Sequence, residues 1–152
     1  RESLAAAVAL AGQYDREILL EEAIPGFEVG CAVMGNDSLT VGEVDEVELA
    51  GGFFDYTEKY TLKTSAIHTP ARIPAATARR VKDAARIIYR ALGCVGFARV
   101  DMFLTPQGEI VFNEVNTIPG FTEHSRFPRM MEAAGIDSGQ VLSTVIGLAV
   151  GK

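Results

Sequence analysis

Two apolar-rich runs, Phe97 to Leu104 and Ile110 to Asn116, are separated only by Thr105-Pro106-Gln107-Gly108, and this arrangement constrains the chain more than any other feature. Proline and glycine stand where a tight turn wants them, so the runs read as the two strands of an antiparallel hairpin. Side chains alternate along a strand, which divides the hairpin into two faces. If Leu104 pairs with Glu109, one face carries Ala98, Val100, Met102 and Leu104 with Val111 and Val115. The other carries Phe97, Arg99, Asp101 and Phe103 with Ile110, Phe112, Glu114 and Asn116.

The first face is aliphatic and suits a helix laid over it. The second sets a cation, two carboxylates and an amide among large apolar side chains. Solvent-facing surfaces do not normally interleave charges with phenylalanine, and bare carboxylates are costly to bury. Residues two apart on a strand lie about 7 Å apart and neighbouring strands about 5 Å apart, so these groups can converge. Two readings fit. One is a buried Arg99–Asp101 or Arg99–Glu114 ion pair with Asn116 as a capping group. The other is the wall of a half-closed site whose hard oxygen donors form an incomplete cage, which suits a Mg²⁺ shared with substrate phosphates.

The rest of the chain supplies what such a hairpin must pack against. Pro74 to Leu92 is the clearest helix, with Val81, Ala84, Ala85, Ile88 and Leu92 as its apolar stripe and Gly93 as its stop. Arg79, Arg80, Lys82, Asp83, Arg86 and Arg90 cover its other side, which reads as a solvated outer face. Val29 to Met34 reads as a strand buried on both faces, with Leu39 to Leu49 as its partner across Gly35-Asn36-Asp37. Short strands are expected at Glu17 to Leu20 and Ser65 to His68. Further helices are expected over the first dozen residues, from about Arg126 to Ala134, and from the N-cap Asp137 to Val150. The fold class is therefore α+β, an antiparallel sheet backed by helices. Apart from the short strand at Ser65 to His68, residues 50–71 are irregular and read as a functional or mobile loop.

Bulk properties exclude several functions. The 152 residues, 48% apolar, suffice for one domain or most of one. A net charge of −6 gives no electrostatic case for nucleic acid, and the apolar runs fall short of a membrane span. Cys31 and Cys94 lie in apolar surroundings and read as buried reduced thiols, as a cytoplasmic protein would keep them.

The strings GFARVDMF (Gly96 to Phe103), FNEVNTIPGFT (Phe112 to Thr122) and EHSRFPRM (Glu123 to Met130) follow one another in a specific order, where a lone N-E-x-N would be weak. Together they closely resemble the D-alanine–D-alanine ligase family of ATP-grasp enzymes, and within it the vancomycin-resistance branch. The resemblance extends from Glu17 to the end. It implies that residues 1–22 are the end of a central lobe with the adenine hinge, and residues 23–152 the carboxy-terminal ATP-grasp catalytic lobe. It also implies a cytoplasmic, ATP-dependent ligase that joins D-alanine to a second D-amino acid through an acyl phosphate. Such an enzyme serves peptidoglycan precursor synthesis and glycopeptide resistance. The family's amino-terminal and central lobes would complete the active site, since these 152 residues cannot hold all of it. A homodimer is compatible with the resemblance; nucleic-acid and membrane partners are not expected.

Carried over residue by residue, the resemblance makes Asp101, Glu114 and Asn116 ligands of two Mg²⁺ ions, replaceable by Mn²⁺, that bridge the ATP phosphates. Arg99 would stabilise an oxyanion in the second step, and Gly120 would offer a backbone N–H. Lys59, in a loop over residues 54–60, would reach the phosphates while Tyr60 shields the acyl phosphate from water. Glu21, Glu22, Ala23 and Ile24 would line the adenine pocket, and Glu28 would accept from the ribose hydroxyls. From the residues alone, Glu21, Glu22 and Glu28 read as solvated charges. Ser125 and Arg126 would meet the second substrate's carboxylate. Arg126, with the Lys59-Tyr60 segment, favours D-serine as that substrate, with D-alanine next. His68 and His124 read as solvated polar residues. Two other readings stay open: a truncated, non-catalytic nucleotide-binding or structural fragment, and another ATP-grasp carboxylate–amine ligase.

Overall fold

A computed structural model describes residues 3–49 and 65–151. The elements run α1 (Leu4–Ala11), β1 (Phe27–Met34), β2 (Thr40–Leu49), β3 (Ser65–His68), α2 (Ala75–Ala91), β4 (Phe97–Leu104), β5 (Ile110–Asn116), α3 (Arg126–Ala133) and α4 (Ser138–Val150). All the described strands join one sheet in the order β3-β2-β1-β4-β5, and every pairing among them is antiparallel. This is the expected antiparallel sheet backed by helices.

β1 is central because its sequence carries a single charge, Glu28, in eight residues. Alternation sends Val29, Cys31 and Val33 to one core, with Val81, Ala85 and Tyr89 of α2 and Ala98, Val100, Met102 and Leu104 of β4. Ala32 and Met34 face the other way, onto Phe127, Met130 and Met131 of α3 and Val141 of α4. Each fully buried large side chain contributes about 1.5–3 kcal/mol, so the two cores clamp helices to both sides of the sheet. Among the described residues no single helix is long and apolar enough to cross a membrane.

The stripe of α2 differs from expectation at one end. Leu92 is exposed, and Tyr89 takes the innermost place. The tyrosine hydroxyl donates to the Gly35 carbonyl at 2.9 Å, so the ring can be buried without stranding its polar tip. The charged side of α2 does face outward, with Lys82 reaching Glu43 of β2 at 2.6 Å. The strand expected at Glu17 to Leu20 is absent. Leu19 and Leu20 are exposed there, and no described strand pairs with them to supply a ladder. Both cysteines are free thiols, and burial pushes that of Cys31 up to about 12.

The hairpin register also departs from expectation. Leu104 pairs with Ile110, not Glu109, because Thr105 still belongs to the ladder. The Thr105 N–H donates to the Glu109 carbonyl at 2.9 Å, and the Glu109 N–H donates to Thr105 Oγ1 at 3.0 Å. The turn shrinks to Pro106-Gln107-Gly108, where Gly108 takes φ +80°, a conformation glycine adopts without a Cβ penalty. Ile110 and Phe112 therefore move to the side of Leu104 and Met102, and Val111 joins Phe103. A bulge at Asn113 then restores the phase, so Glu114 and Asn116 still stand opposite Asp101 and Arg99.

Candidate active site

Four adjacent strands bring one row of residues to the face away from α2. Asp45 of β2 partners Gly30 of β1, Gly30 partners Asp101 of β4, and Asp101 partners Glu114 of β5. In a neighbouring row Arg99 stands opposite Asn116. Glu28, two residues before Gly30, shares this face. Four of these groups are acids, and the three buried ones, Glu28, Asp45 and Asp101, each need a partner.

Two arginines meet that need. Arg99 donates through Nε to Asp101 Oδ1 and Oδ2 at 2.8 and 3.0 Å, and through Nη2 to Oδ2 at 2.7 Å. Arg126, the first residue of α3, reaches down over Gly30. Its Nε and Nη2 grip the two oxygens of Asp45 at 2.7 and 2.8 Å, its Nη1 donates to Glu28 Oε1 at 2.7 Å, and Nη2 lies 3.4 Å from Asp101 Oδ1. The Arg126 side chain is only 11% exposed and that of Asp45 is 0%. Burial works against the charge on Arg126, but Asp45, Asp101 and Glu28 together hold its guanidinium charged well beyond arginine's ordinary range. Burial pushes the Glu28 carboxyl above the usual carboxylate range, against the pull of Arg126, and the nearby Asp101 adds to that rise.

The loop between β5 and α3 is closed by its own side chains. Asn116 Oδ1 accepts the Ile118 N–H at 3.1 Å. The Ser125 hydroxyl takes the Thr122 N–H at 3.0 Å and lies 2.8 Å from Thr122 Oγ1. Gly120 packs so close to it that a Cβ would lie 2.7 Å from Ser125 Oγ. The rings of Phe97, Phe121 and Phe127 meet with centroids 5.2 to 5.6 Å apart and pin the loop to the start of β4 and to α3.

The family described as D-ala D-ala ligase C-terminus matches residues 1–147. The chain belongs to that family. Among relatives of this chain, the vancomycin B-type resistance protein VanB of Enterococcus faecalis is 52% identical over 155 residues, 98% of this chain and 45% of VanB. The solved VanG D-Ala:D-Ser ligase from Enterococcus faecalis is 62% identical with a TM-score of 0.89, covering 99% of this chain and 44% of that one. A D-alanine–D-alanine ligase from Bacillus anthracis solved with ATP is 28% identical with a TM-score of 0.80, covering 97% and 46%. The chain thus spans less than half the length of the relatives it matches.

Against that background the chain brings together Arg99, Asp101, Glu114, Asn116, Glu28 and Arg126 on or over one sheet face. Gly120 and Ser125 touch each other in the loop beyond it. Glu21, Glu22 and Ala23 are exposed and Ile24 is half-buried, on a segment without regular structure that leads into β1. Lys59 and Tyr60 lie outside the described residues. His68 is half-buried and sits 2.6 Å from Glu48, where a solvated residue was expected, while His124 is exposed.

The donor set fits a hard divalent cation in chemistry and position, two carboxylates and an amide oxygen on one face. Part of its capacity is already used: Asp101 serves Arg99, and the Asn116 oxygen serves Ile118. Among the described residues no group of three or more acidic, histidine or cysteine side chains is arranged to hold an ion alone. The set therefore suits an ion that takes its remaining ligands from phosphate and water. An open depression of about 460 Å³ between the β1–β2 turn and α4, lined by Asn36, Asp37, Ser38 and Thr144 among others, shares no residue with this site.

Sequence reasoning missed Asp45. Its signal lay across the sheet: a glycine in the middle of an apolar strand marks a close approach by something bulky.

Proposed function

We propose that this chain is the carboxy-terminal ATP-grasp part of a cytoplasmic, ATP-dependent ligase that joins D-alanine to a second D-amino acid, D-serine in preference to D-alanine. Residues 1–22 end its central lobe and carry the adenine hinge, and residues 23–152 form the catalytic lobe. The observation that carries this reading is the registered set Asp101–Glu114 and Arg99–Asn116 on one face, in a chain of this family. The D-serine preference is supported by the likeness to VanG, named as a D-Ala:D-Ser ligase, and ATP use by the ATP complex of the Bacillus anthracis enzyme.

In this reading ATP phosphorylates the first D-alanine's carboxylate, and the amine of the second substrate attacks the acyl phosphate, releasing phosphate. Asp101, Glu114 and Asn116 hold divalent cations whose charge offsets that of the phosphates. Arg99, fixed by Asp101, presents a standing positive charge to the oxyanion that develops during the attack. Gly120 adds a backbone N–H, and its bare Cα allows close approach. Glu28 meets the ribose, Glu21 to Ile24 the adenine, Lys59 the phosphates, and Tyr60 keeps water from the acyl phosphate. Ser125 and Arg126 stand at the second substrate.

The test is ADP-forming ligation by the full-length enzyme with D-alanine and D-serine at saturating Mg²⁺. Glu114→Gln and Asn116→Ala should each cut turnover by about a hundredfold or more, at least what losing a metal's outer-shell partner costs. The far-ultraviolet circular dichroism should stay unchanged. Normal turnover by either variant would refute the metal assignment.

A further inference from the structure

Hydrogen bonds fix both ends of the loop between β5 and α3 but not its middle. The Ile118 N–H is held by Asn116 and the Thr122 N–H by Ser125. Between them, among the described residues, Gly120 and Phe121 make no hydrogen bond. Gly120 has no side chain to anchor it, so the aim of its N–H depends on its two neighbours. The buried Pro119 fixes the chain on one side through its locked φ. Phe121 fixes it on the other through its ring alone. That ring stands 5.2 Å from Phe97, nearly perpendicular at 80°, and 5.4 Å from Phe127, with Phe97 and Phe127 themselves 5.6 Å apart. Phe97 opens β4 opposite Met34 of β1, and Phe127, fully buried, is the second residue of α3. Both pack in the core beneath α3 and α4, so their rings form a rigid edge against which the 36%-exposed Phe121 leans.

We infer that the Phe97–Phe121–Phe127 cluster aims the Gly120 N–H, so that Phe97 and Phe121 are positioning residues for the second chemical step. This rests on the proposed ligase reading, in which that N–H meets the oxyanion formed as the amine attacks the acyl phosphate. A donor helps there only if it already points at the place where charge appears. With the ring edge cut back, Phe121 loses its seat and the Gly120 peptide drifts, while Asp101 and Glu114 keep their places on the strands. Acyl phosphate formation goes on, but amine attack slows. The stalled intermediate then meets water. The water oxygen bonds to the carbonyl carbon, the carbon–oxygen bond to phosphate breaks, and D-alanine and phosphate leave without dipeptide. The cluster thus couples phosphate release to peptide formation.

The experiment uses the full-length enzyme with ATP, Mg²⁺, D-alanine and D-serine. It reads kcat, the KM for ATP and the phosphate released per dipeptide formed. Phe121→Leu should lower kcat for dipeptide by about tenfold to a hundredfold, since a misplacement of about 1 Å is enough for such a loss. The KM for ATP should change little, and the ratio of phosphate to dipeptide should rise severalfold. Phe97→Leu should do the same, and the double variant should be no worse than the weaker single one, because both remove one contact. Phe97→Trp, which keeps an aromatic edge, should retain most of the turnover that leucine loses. Phe121 is exposed enough for its truncation to spare the fold, which urea unfolding checks. An unchanged kcat in Phe121→Leu, a fall at an unchanged phosphate-to-dipeptide ratio, or effects that multiply in the double variant would overturn the positioning role. A wild-type enzyme that forms no dipeptide would overturn the ligase reading itself, and this inference with it.

Discussion

Replacing Gly30 with alanine adds one methyl group at the most crowded point of the site. The added carbon would lie 2.7 Å from Asp45 Oδ1 and 2.9 Å from Asp101 Oδ1, and would collide with the Arg126 guanidinium. None of these atoms can move cheaply, because each is already held by short hydrogen bonds to a second group. Overpacking of this kind costs about 1–3 kcal/mol. Displacing Arg126 from one oxygen of Asp45 adds about 1.5–3 kcal/mol. Alanine returns about 0.5–1 kcal/mol in a strand because it has less backbone entropy to lose than glycine. The net expectation is a destabilisation of about 2–5 kcal/mol. Urea unfolding of the full-length protein measures it, with Gly147→Ala in α4 as the matched control. Nothing lies within 4 Å of a Cβ at Gly147, so that variant should gain about 0.5–1 kcal/mol. If Gly30→Ala unfolds at the wild-type urea concentration, Arg126 is not fixed above β1 in the way described.

Two further outcomes test the frame around the site. Tyr89→Phe should cost about 1–3 kcal/mol in the same unfolding experiment, because it leaves the Gly35 carbonyl without its donor in a buried place; a neutral result would mean that water substitutes there. Hydrogen bonds from Arg72 hold the Glu46 carboxyl below its ordinary value of 4.5. A depressed carboxyl contributes stability that is present above the unfolded value and lost as pH falls through the folded one. Glu46→Gln should therefore lose less stability than wild type between neutral pH and pH 3, and parallel acid profiles would refute the pairing.

Alternation made the faces of the β4–β5 hairpin legible, yet the register was not. Two irregularities offset each other: Thr105 extends the ladder by one residue, and the bulge at Asn113 removes the extra step. Neither leaves a mark in composition, because any polar residue could close such a turn and asparagine is as common in loops as in bulges. The four chemistry-bearing residues were grouped correctly for a reason that was only half right. The strand Thr40–Leu49 shows the opposite case. Asp45 stands among Glu43, Glu46 and Glu48, and a strand position alone does not tell a solvated acid from a buried one. What separates them is tertiary, the side-chain-free Gly30 opposite and the helix that drops Arg126 over it.

Charge balance bears on the two readings the hairpin first allowed. An Arg99–Asp101 pair with a capping Asn116 is present, so the purely structural reading accounts for those three side chains. It does not account for the whole face. Glu28, Asp45 and Asp101 set three buried carboxylates against the two guanidinium groups of Arg99 and Arg126. Fold stability alone would favour apolar residues of similar volume over such a network, since buried ion pairs seldom recover their desolvation cost. An acidic excess held beside fixed arginines is costly for a domain that only packs. It is useful for one that must gather divalent cations around phosphates while keeping a separate positive charge in place for the second substrate. Burial is what chiefly raises the Glu28 carboxyl, with Asp101 adding to the rise and Arg126 opposing it.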